Sequence, residues 1–200
     1  MTPLEELRAH PRIATLIAAL DNRQLKPAHD PAARRAGVAI LIRLGKDGEP
    51  EMFFIQRAVY EGDPWSGQIA FPGGGEEPGD GTLLGTAIRE TAEEIGFDIR
   101  GYGEVVGQLD DLRPQKARLP AVVVRPFIVL AGNIPEPILS GEVASCFWVP
   151  LSVLLDRSAW RDTTIHAGGM EMSRIAFHHG GHVVWGMTER VLSDLLGVLR

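Results

Sequence analysis

Gly85-Thr86-Ala87-Ile88-Arg89-Glu90-Thr91-Ala92-Glu93-Glu94-Ile95-Gly96-Phe97 is the stretch on which the reading of this chain turns. Leu84, Ile88, Thr91 and Ile95 recur at spacings of four, three and four, the period of a helix with one apolar stripe. Gly96 supplies the stop. The spacing predicts a helix from about Thr82 to Ile95. Glu90, Glu93 and Glu94 fall on a neighbouring face, within an arc of about 100°. Like charges so placed repel and weaken a helix. One side is therefore expected to pack into a sheet while the other displays concentrated negative charge. A hard divalent cation offsets the repulsion: Mg²⁺ takes carboxylate and water oxygens and engages substrate phosphates. Mn²⁺ is the natural substitute. Arg89, four residues before Glu93, is placed to orient it. A solvated acidic face is the alternative for the helix taken alone.

The segment before the helix favours the metal. Residues 58–81, AVYEGDPWSGQIAFPGGGEEPGDG, hold seven glycines and three prolines. Gly73, Gly74 and Gly75 give the backbone freedom for a close ligand approach, and Gly73 and Gly74 are taken as substrate contacts. Glu76, Glu77 and Asp80 could tune ion binding in the loop; the alternatives are a solvated acidic turn for Glu76 and Glu77 and a cap of the helix for Asp80.

Gly74, five residues, Asp80, eight residues, then Arg89-Glu90-Thr91-Ala92-Glu93-Glu94-Ile95-Gly96-Phe97 resembles the signature loop–helix–loop of the Nudix hydrolases. The common pattern has Glu at the position of Asp80 and seven residues before the Arg. Asp with the longer spacer resembles the coenzyme A pyrophosphatase branch. FFIQRA (53–58), GQIAFPGG (67–74), RPFIV (125–129), EVASCFWVPLSVL (142–154) and VVWGMTERVLSDLL (183–196) are similar to elements of that branch, so the likeness covers most of residues 36–197. VYEGDPWS lacks the Arg that the branch often carries in this loop. The resemblance implies a Nudix-type α/β/α sandwich with a mixed β-sheet. It assigns Glu90, Glu93 and Glu94 to a magnesium cluster, with Arg89 as an orienting catalytic residue.

Strand signals on either side agree with an α/β fold. AGVAILIRL (36–44), a KDGEP turn and EMFFIQR (51–57) read as a hairpin. GEVVGQLDDL (103–112), LPAVVVRPFIVLAG (119–132), EVASCFWVP (142–150) and EMSRIAF (171–177) carry further β-branched runs. PLSVLLDRSAW begins a short helix, and WGMTERVLSDLLGVL an amphipathic one that packs in the core or contributes to a homodimer. Upstream, Thr2-Pro3 opens a helix that Pro11 divides, and DNRQLKPAHDPAARR (21–35) is a linker. Residues 1–35 are thus a helical appendage and linker, and 36–200 the hydrolase domain.

Other residues carry weaker readings. Arg57, closing a strand beside the glycine-rich loop, is the best upstream candidate for a phosphate contact, with a solvated strand end as the alternative. Trp65 either stacks on a base or anchors its loop. Glu142 is a further candidate metal ligand. His178, His179 and His182 sit in a polar turn without a zinc-like ligand spacing, Trp148, Trp160 and Trp185 belong to packing, and Cys146 is a packed strand residue.

Composition narrows the classes. The net charge of −6 argues against a general nucleic-acid binder. One cysteine excludes an internal disulfide framework and a multi-cysteine metal site. No apolar run reaches the length of a membrane span and no leader pattern opens the chain, so a cytoplasmic setting with no membrane partner is expected. The expected reaction is hydrolysis of a small-molecule phosphoanhydride, coenzyme A to 4′-phosphopantetheine and adenosine 3′,5′-bisphosphate. A dinucleotide cofactor, nucleotide sugar or nucleoside triphosphate is the alternative substrate. A non-catalytic nucleotide-binding regulatory module is the alternative outside enzymology.

Overall fold

The alternation of Ala39 and Leu41 with Ile40 and Ile42 sends each pair to an opposite face of one strand, and that division organises the protein. A computed structural model describes residues 1–114, 120–167 and 170–199. In chain order the elements are α1 (Pro3–Ala9), α2 (Pro11–Asp21), β1 (Arg34–Leu44), β2 (Pro50–Arg57), β3 (Ile69–Ala70), β4 (Gly73–Gly75) and α3 (Leu83–Ile95). They continue with α4 (Ile99–Tyr102), β5 (Gly103–Gln108), β6 (Val122–Ala131), β7 (Val143–Pro150), α5 (Leu151–Leu155), β8 (Trp160–Ala167), β9 (Met170–His179), β10 (His182–Val184) and α6 (Gly186–Val198).

Seven strands form a mixed sheet in the order β3-β2-β1-β6-β5, with β4 also on β1 and β7 also on β2. Among the described residues only β1 and β6 run parallel, and the connection that parallel pairing demands carries α3. On the α3 side, Ala39, Leu41, Phe53, Ile55, Phe127 and Val129 pack with Leu83, Ala87 and Ile95. On the other side, Ile40, Ile42, Met52, Phe54, Ile128 and Leu130 pack with α1, α2, α5 and α6. The fold is the expected α/β/α sandwich.

Leu7, Ile13, Leu16 and Leu20 of α1 and α2 are buried in that second core, so the hydrophobic core crosses the boundary drawn at residue 35. Thr2 caps α1 in a capping box with Glu5, and His10 separates the two helices before Pro11. The apolar face of α6 (Val191, Leu192, Leu195, Leu196) is likewise spent in the core.

Two expectations change. β8, Trp160–Ala167, is a strand where sequence reading found none: WRDTTIHA is mostly polar and gains its pairing from β9, across Trp160↔Phe177 to Ala167↔Met170. His178 and His179 end β9 and His182 begins β10, so only Gly180 and Gly181 form the turn. No helix among the described residues is long and apolar enough to cross a membrane.

One edge of β1 is shared, and this positions the site. Ala36–Val38 pairs with Gly75–Gly73 of β4, whereas Ile42–Leu44 pairs with Met52–Pro50 of β2. The glycine triplet is therefore a short strand rather than a free loop. β2 and β4 leave the same edge at different heights, and α3 lies across the gap.

Candidate active site

Helix α3 begins where Thr82 accepts from the Gly85 N–H at 3.0 Å and ends at Gly96 with φ 70°. Asp80 does not cap it. The Asp80 carboxylate instead takes Nε and Nη2 of Arg89 at 2.8 and 3.1 Å, with Thr86 Oγ1 and the Glu77 N–H each at 2.8 Å on Oδ2. The bidentate Arg89 guanidinium holds that carboxyl far below the ordinary carboxylate range. Thr86, which sequence reading passed over, is the buried hydroxyl that completes the cradle.

Arg89 extends its remaining donors along the helix. Nη1 reaches Glu90 Oε1 at 3.0 Å and Glu93 Oε2 at 2.9 Å, and Nη2 also reaches Gly75 O at 2.9 Å. Loop, helix start and two helix carboxylates are thus held by one guanidinium. Its position in the sequence is as expected, but it orients Glu90 as well as Glu93.

The three glutamates do not share one exposed face. Glu93 is open to solvent, with 59% of its side chain exposed, while Glu94 is buried at 2%. The buried face is Leu83, Ala87, Thr91, Glu94 and Ile95, and Leu84 and Ile88 lie at its margin. Glu94 is directed at β4, where the Gly73 N–H donates to Oε2 at 2.9 Å. Burial pushes its carboxyl up to about 7, aided by the charges of Glu90 and Glu142; the Gly73 N–H and Arg57 oppose the rise. Burial also raises Glu90, against the pull of Arg89.

Gly73 and Gly74 are taken up by these carboxylates. Gly73 has φ 143°, a region where side chains are rare, and a Cβ there would lie 2.4 Å from Gly37 O. A Cβ on Gly74 would lie 2.5 Å from Glu90 Cδ. The triplet therefore allows β4 to approach both β1 and α3.

Arg57 and Glu142 reach the same gap from β2 and β7. Arg57 pairs with Val143 across the strands, and the Ala58 N–H donates to Glu142 O at 2.8 Å. The charges of Arg57 and Glu142 both act on Glu94. Arg57 Nη2 is bound to Asp63 Oδ2 at 2.9 Å, a partner that sequence reading missed although Asp63-Pro64 is a turn signature. Trp65 follows in that turn, its N–H on Asp63 Oδ1 at 2.9 Å.

The remaining candidates lie in the scaffold. Trp148 packs on Phe53 beneath Arg43, and Trp160 packs on Phe177 with its indole N–H on Leu154 O. Trp185 precedes α6, and burial pushes the Cys146 thiol up, away from a reactive thiolate. His182 stacks on Phe147 with ring centres 4.1 Å apart.

The donor set suits a hard cation. Glu94 is buried with one N–H donor and, among the described residues, no ion-pair partner, beside a second raised carboxyl, Glu90. Oxygen ligands with surplus negative charge fit a divalent ion. Among the described residues, no three acidic, histidine or cysteine groups already converge on one point as ligands. Arg89 holds one oxygen each of Glu90 and Glu93, which fixes both carboxylates on the helix.

Comparison with known proteins agrees with this arrangement. The NUDIX domain family matches residues 33–167. "Uncharacterized Nudix hydrolase NudL" of Yersinia pestis and of Yersinia pseudotuberculosis are each 29% identical over 171 residues, covering 86% of this chain and 83% of theirs. A MutT/nudix family protein from Enterococcus faecalis superposes with a TM-score of 0.55 at 16% identity, covering 98% of this chain and 73% of its own. A Nudix hydrolase from Alicyclobacillus acidocaldarius gives 0.53 at 21% identity, covering 62% and 82%. These two solved structures share the fold. With the family match spanning most of the sheet and all of the Asp80–Arg89–Glu94 constellation, this chain belongs to the Nudix hydrolase family.

Proposed function

We propose that the chain hydrolyses the phosphoanhydride of coenzyme A, giving 4′-phosphopantetheine and adenosine 3′,5′-bisphosphate, with Mg²⁺ as its ion. The observation that carries the chemistry is the buried Glu94 held by the Gly73 N–H beside the Arg89-bound Glu90. The substrate choice rests on sequence likeness to the coenzyme A branch: FFIQRA, GQIAFPGG and Asp80 with its eight-residue spacer. The Asp80–Arg89 pair is bidentate at that spacing.

Members of the family generally use divalent metal ions. Glu90 and Glu94 would hold the ion here, with Glu93 and Glu142 completing the negative shell. Bound there, it shields phosphate oxygens and lowers the pKa of an attacking water. Arg89 keeps Glu90 and Glu93 in place on the helix. A carboxylate not bound to the ion accepts the proton from water, and Glu142, exposed at the mouth, is available for that role. Arg57 lies across the gap to meet a phosphate.

The test is turnover with Mg²⁺ of coenzyme A, NADH, ADP-ribose, nucleotide sugars and nucleoside triphosphates, both products being identified by mass. Release of 4′-phosphopantetheine with preference for coenzyme A supports the reading. Preference for another compound moves the substrate and leaves the reaction class intact.

A further inference from the structure

Among the described residues, two buried side-chain nitrogens lack a hydrogen-bond partner: Nε of Arg57 and Nε1 of Trp65. They belong to one unit. A single carboxylate ties both residues together, since Asp63 Oδ2 accepts from Arg57 Nη2 and Oδ1 from the Trp65 backbone N–H, each at 2.9 Å. Arg57 ends β2 opposite Val143, and its neighbour Ala58 is bonded to Glu142, so this unit borders the carboxylate site.

A buried donor without an acceptor costs about 1–3 kcal/mol, and native proteins leave few such groups. Two on residues tied to one carboxylate, one of them on a cation, indicate an acceptor supplied from outside the chain. Glu94 and Glu142 are carboxylates that could otherwise capture the Arg57 guanidinium. Asp63 holds Nη2 of that guanidinium at 2.9 Å instead.

We propose that Arg57 Nε and Trp65 Nε1 form a two-donor seat for a phosphate oxygen of the substrate, with Asp63 as the residue that positions both. This deepens the hydrolase reading and rests on it. The guanidinium offers a fixed fork suited to a phosphate oxyanion, and the indole acts through its N–H rather than by stacking on a base. Both donors are covered in this structure, so the acceptor enters with a shift of residues 58–68. Gly62 and Gly67, with φ 85° and 71°, flank the Asp63–Ser66 turn and are the pivots. Tyr60 latches the loop, donating its hydroxyl to Gly141 O at 2.8 Å and its N–H to Ser66 Oγ at 2.7 Å.

Calorimetric titration with inorganic pyrophosphate in the presence of Mg²⁺ tests the seat, with thermal melting to establish that each variant is folded. Arg57→Lys keeps the charge and loses Nε; Trp65→Phe keeps a ring and loses the N–H. Each is expected to weaken pyrophosphate about tenfold, the equivalent of one hydrogen bond. Asp63→Asn removes neither donor, yet is expected to weaken binding comparably and to raise KM more than it lowers kcat. Wild-type affinity in both Arg57→Lys and Trp65→Phe overturns the seat, as does failure of the wild type to bind pyrophosphate. Wild-type affinity and KM in Asp63→Asn overturn the positioning role. If no compound in the panel is turned over while pyrophosphate binding depends on Arg57 and Trp65, the hydrolase reading fails and the seat stands. If turnover is seen and both variants bind like wild type, the reverse holds.

Discussion

The Gly73 backbone N–H donates to the Glu94 carboxylate at 2.9 Å, joining the strand before the signature helix to its most deeply buried acid. Glu94 itself is only 2% exposed, packed under that strand. A buried carboxylate with one hydrogen-bond donor, near the charges of Glu90 and Glu142, is under electrostatic load.

That load has a sign. The folded-state value of Glu94 is raised to about 7 from 4.5. Between these values the folded chain holds a proton that the unfolded chain has lost, so stability falls as pH rises through the window and stays lower above it. Without metal, Glu94→Gln should therefore melt higher than wild type at pH 8, by roughly 1–3 kcal/mol, and the difference should vanish near pH 4.5. Calorimetric melts in EDTA across that range measure it. Equal Tm values at pH 8 would show that Glu94 carries no such penalty.

The same variant should lose activity. Glu94→Gln and Glu90→Gln are each expected to lower kcat by at least about a hundredfold. Adding Mg²⁺ should raise the wild-type Tm through preferential binding to the folded state. That rise should shrink in both variants. A full Mg²⁺-dependent rise in Glu94→Gln would remove Glu94 from the ion's ligands.

Gly74 has no room for a methyl group. Gly74→Ala places a Cβ 2.5 Å from Glu90 Cδ, whereas Gly75 has nothing within 4 Å of its built Cβ. Gly74→Ala should cut turnover about tenfold or more by displacing Glu90, and Gly75→Ala should remain near wild type. Similar rates in the two variants would contradict a fixed Glu90.

Arg89→Lys keeps a positive charge but cannot bind both oxygens of Asp80 while reaching Glu90, Glu93 and Gly75. A loss of about tenfold or more in kcat is expected, together with earlier opening of residues 73–82 in hydrogen exchange. Unchanged exchange in that segment would refute the anchoring role.

Leu16 of α2 is fully buried in the main core. Leu16→Ala should destabilise the protein by about 2–4 kcal/mol, read from urea midpoints. A cost below 1 kcal/mol would mean that the N-terminal helices dock loosely.

Much of this organisation is legible along the chain because its signals are local. Thr82 and Gly96 bound α3 within a residue of expectation, since caps depend on the backbone conformation of single residues. The β1–β2 hairpin and α6 follow from short-range periodicity in the same way. WRDTTIHA escaped because its strand conformation comes from pairing with β9, not from its own pattern. Asp63 escaped because its carboxylate matters through Arg57, six residues away and on another element.

The spacing of Arg89, Glu90, Glu93 and Glu94, read from sequence, determines that a helix concentrates acids beside a guanidinium, because helical geometry is set residue by residue. Which acid is buried was decided only by packing. The apolar stripe predicted Leu84 and Ile88 inside, but β4 approaches through Gly73 and Gly74 and draws Glu94 beneath it instead. Periodicity gives a direction around a helix axis. The depth of each side chain, and therefore the basicity of Glu94, depends on what the rest of the chain lays against that direction.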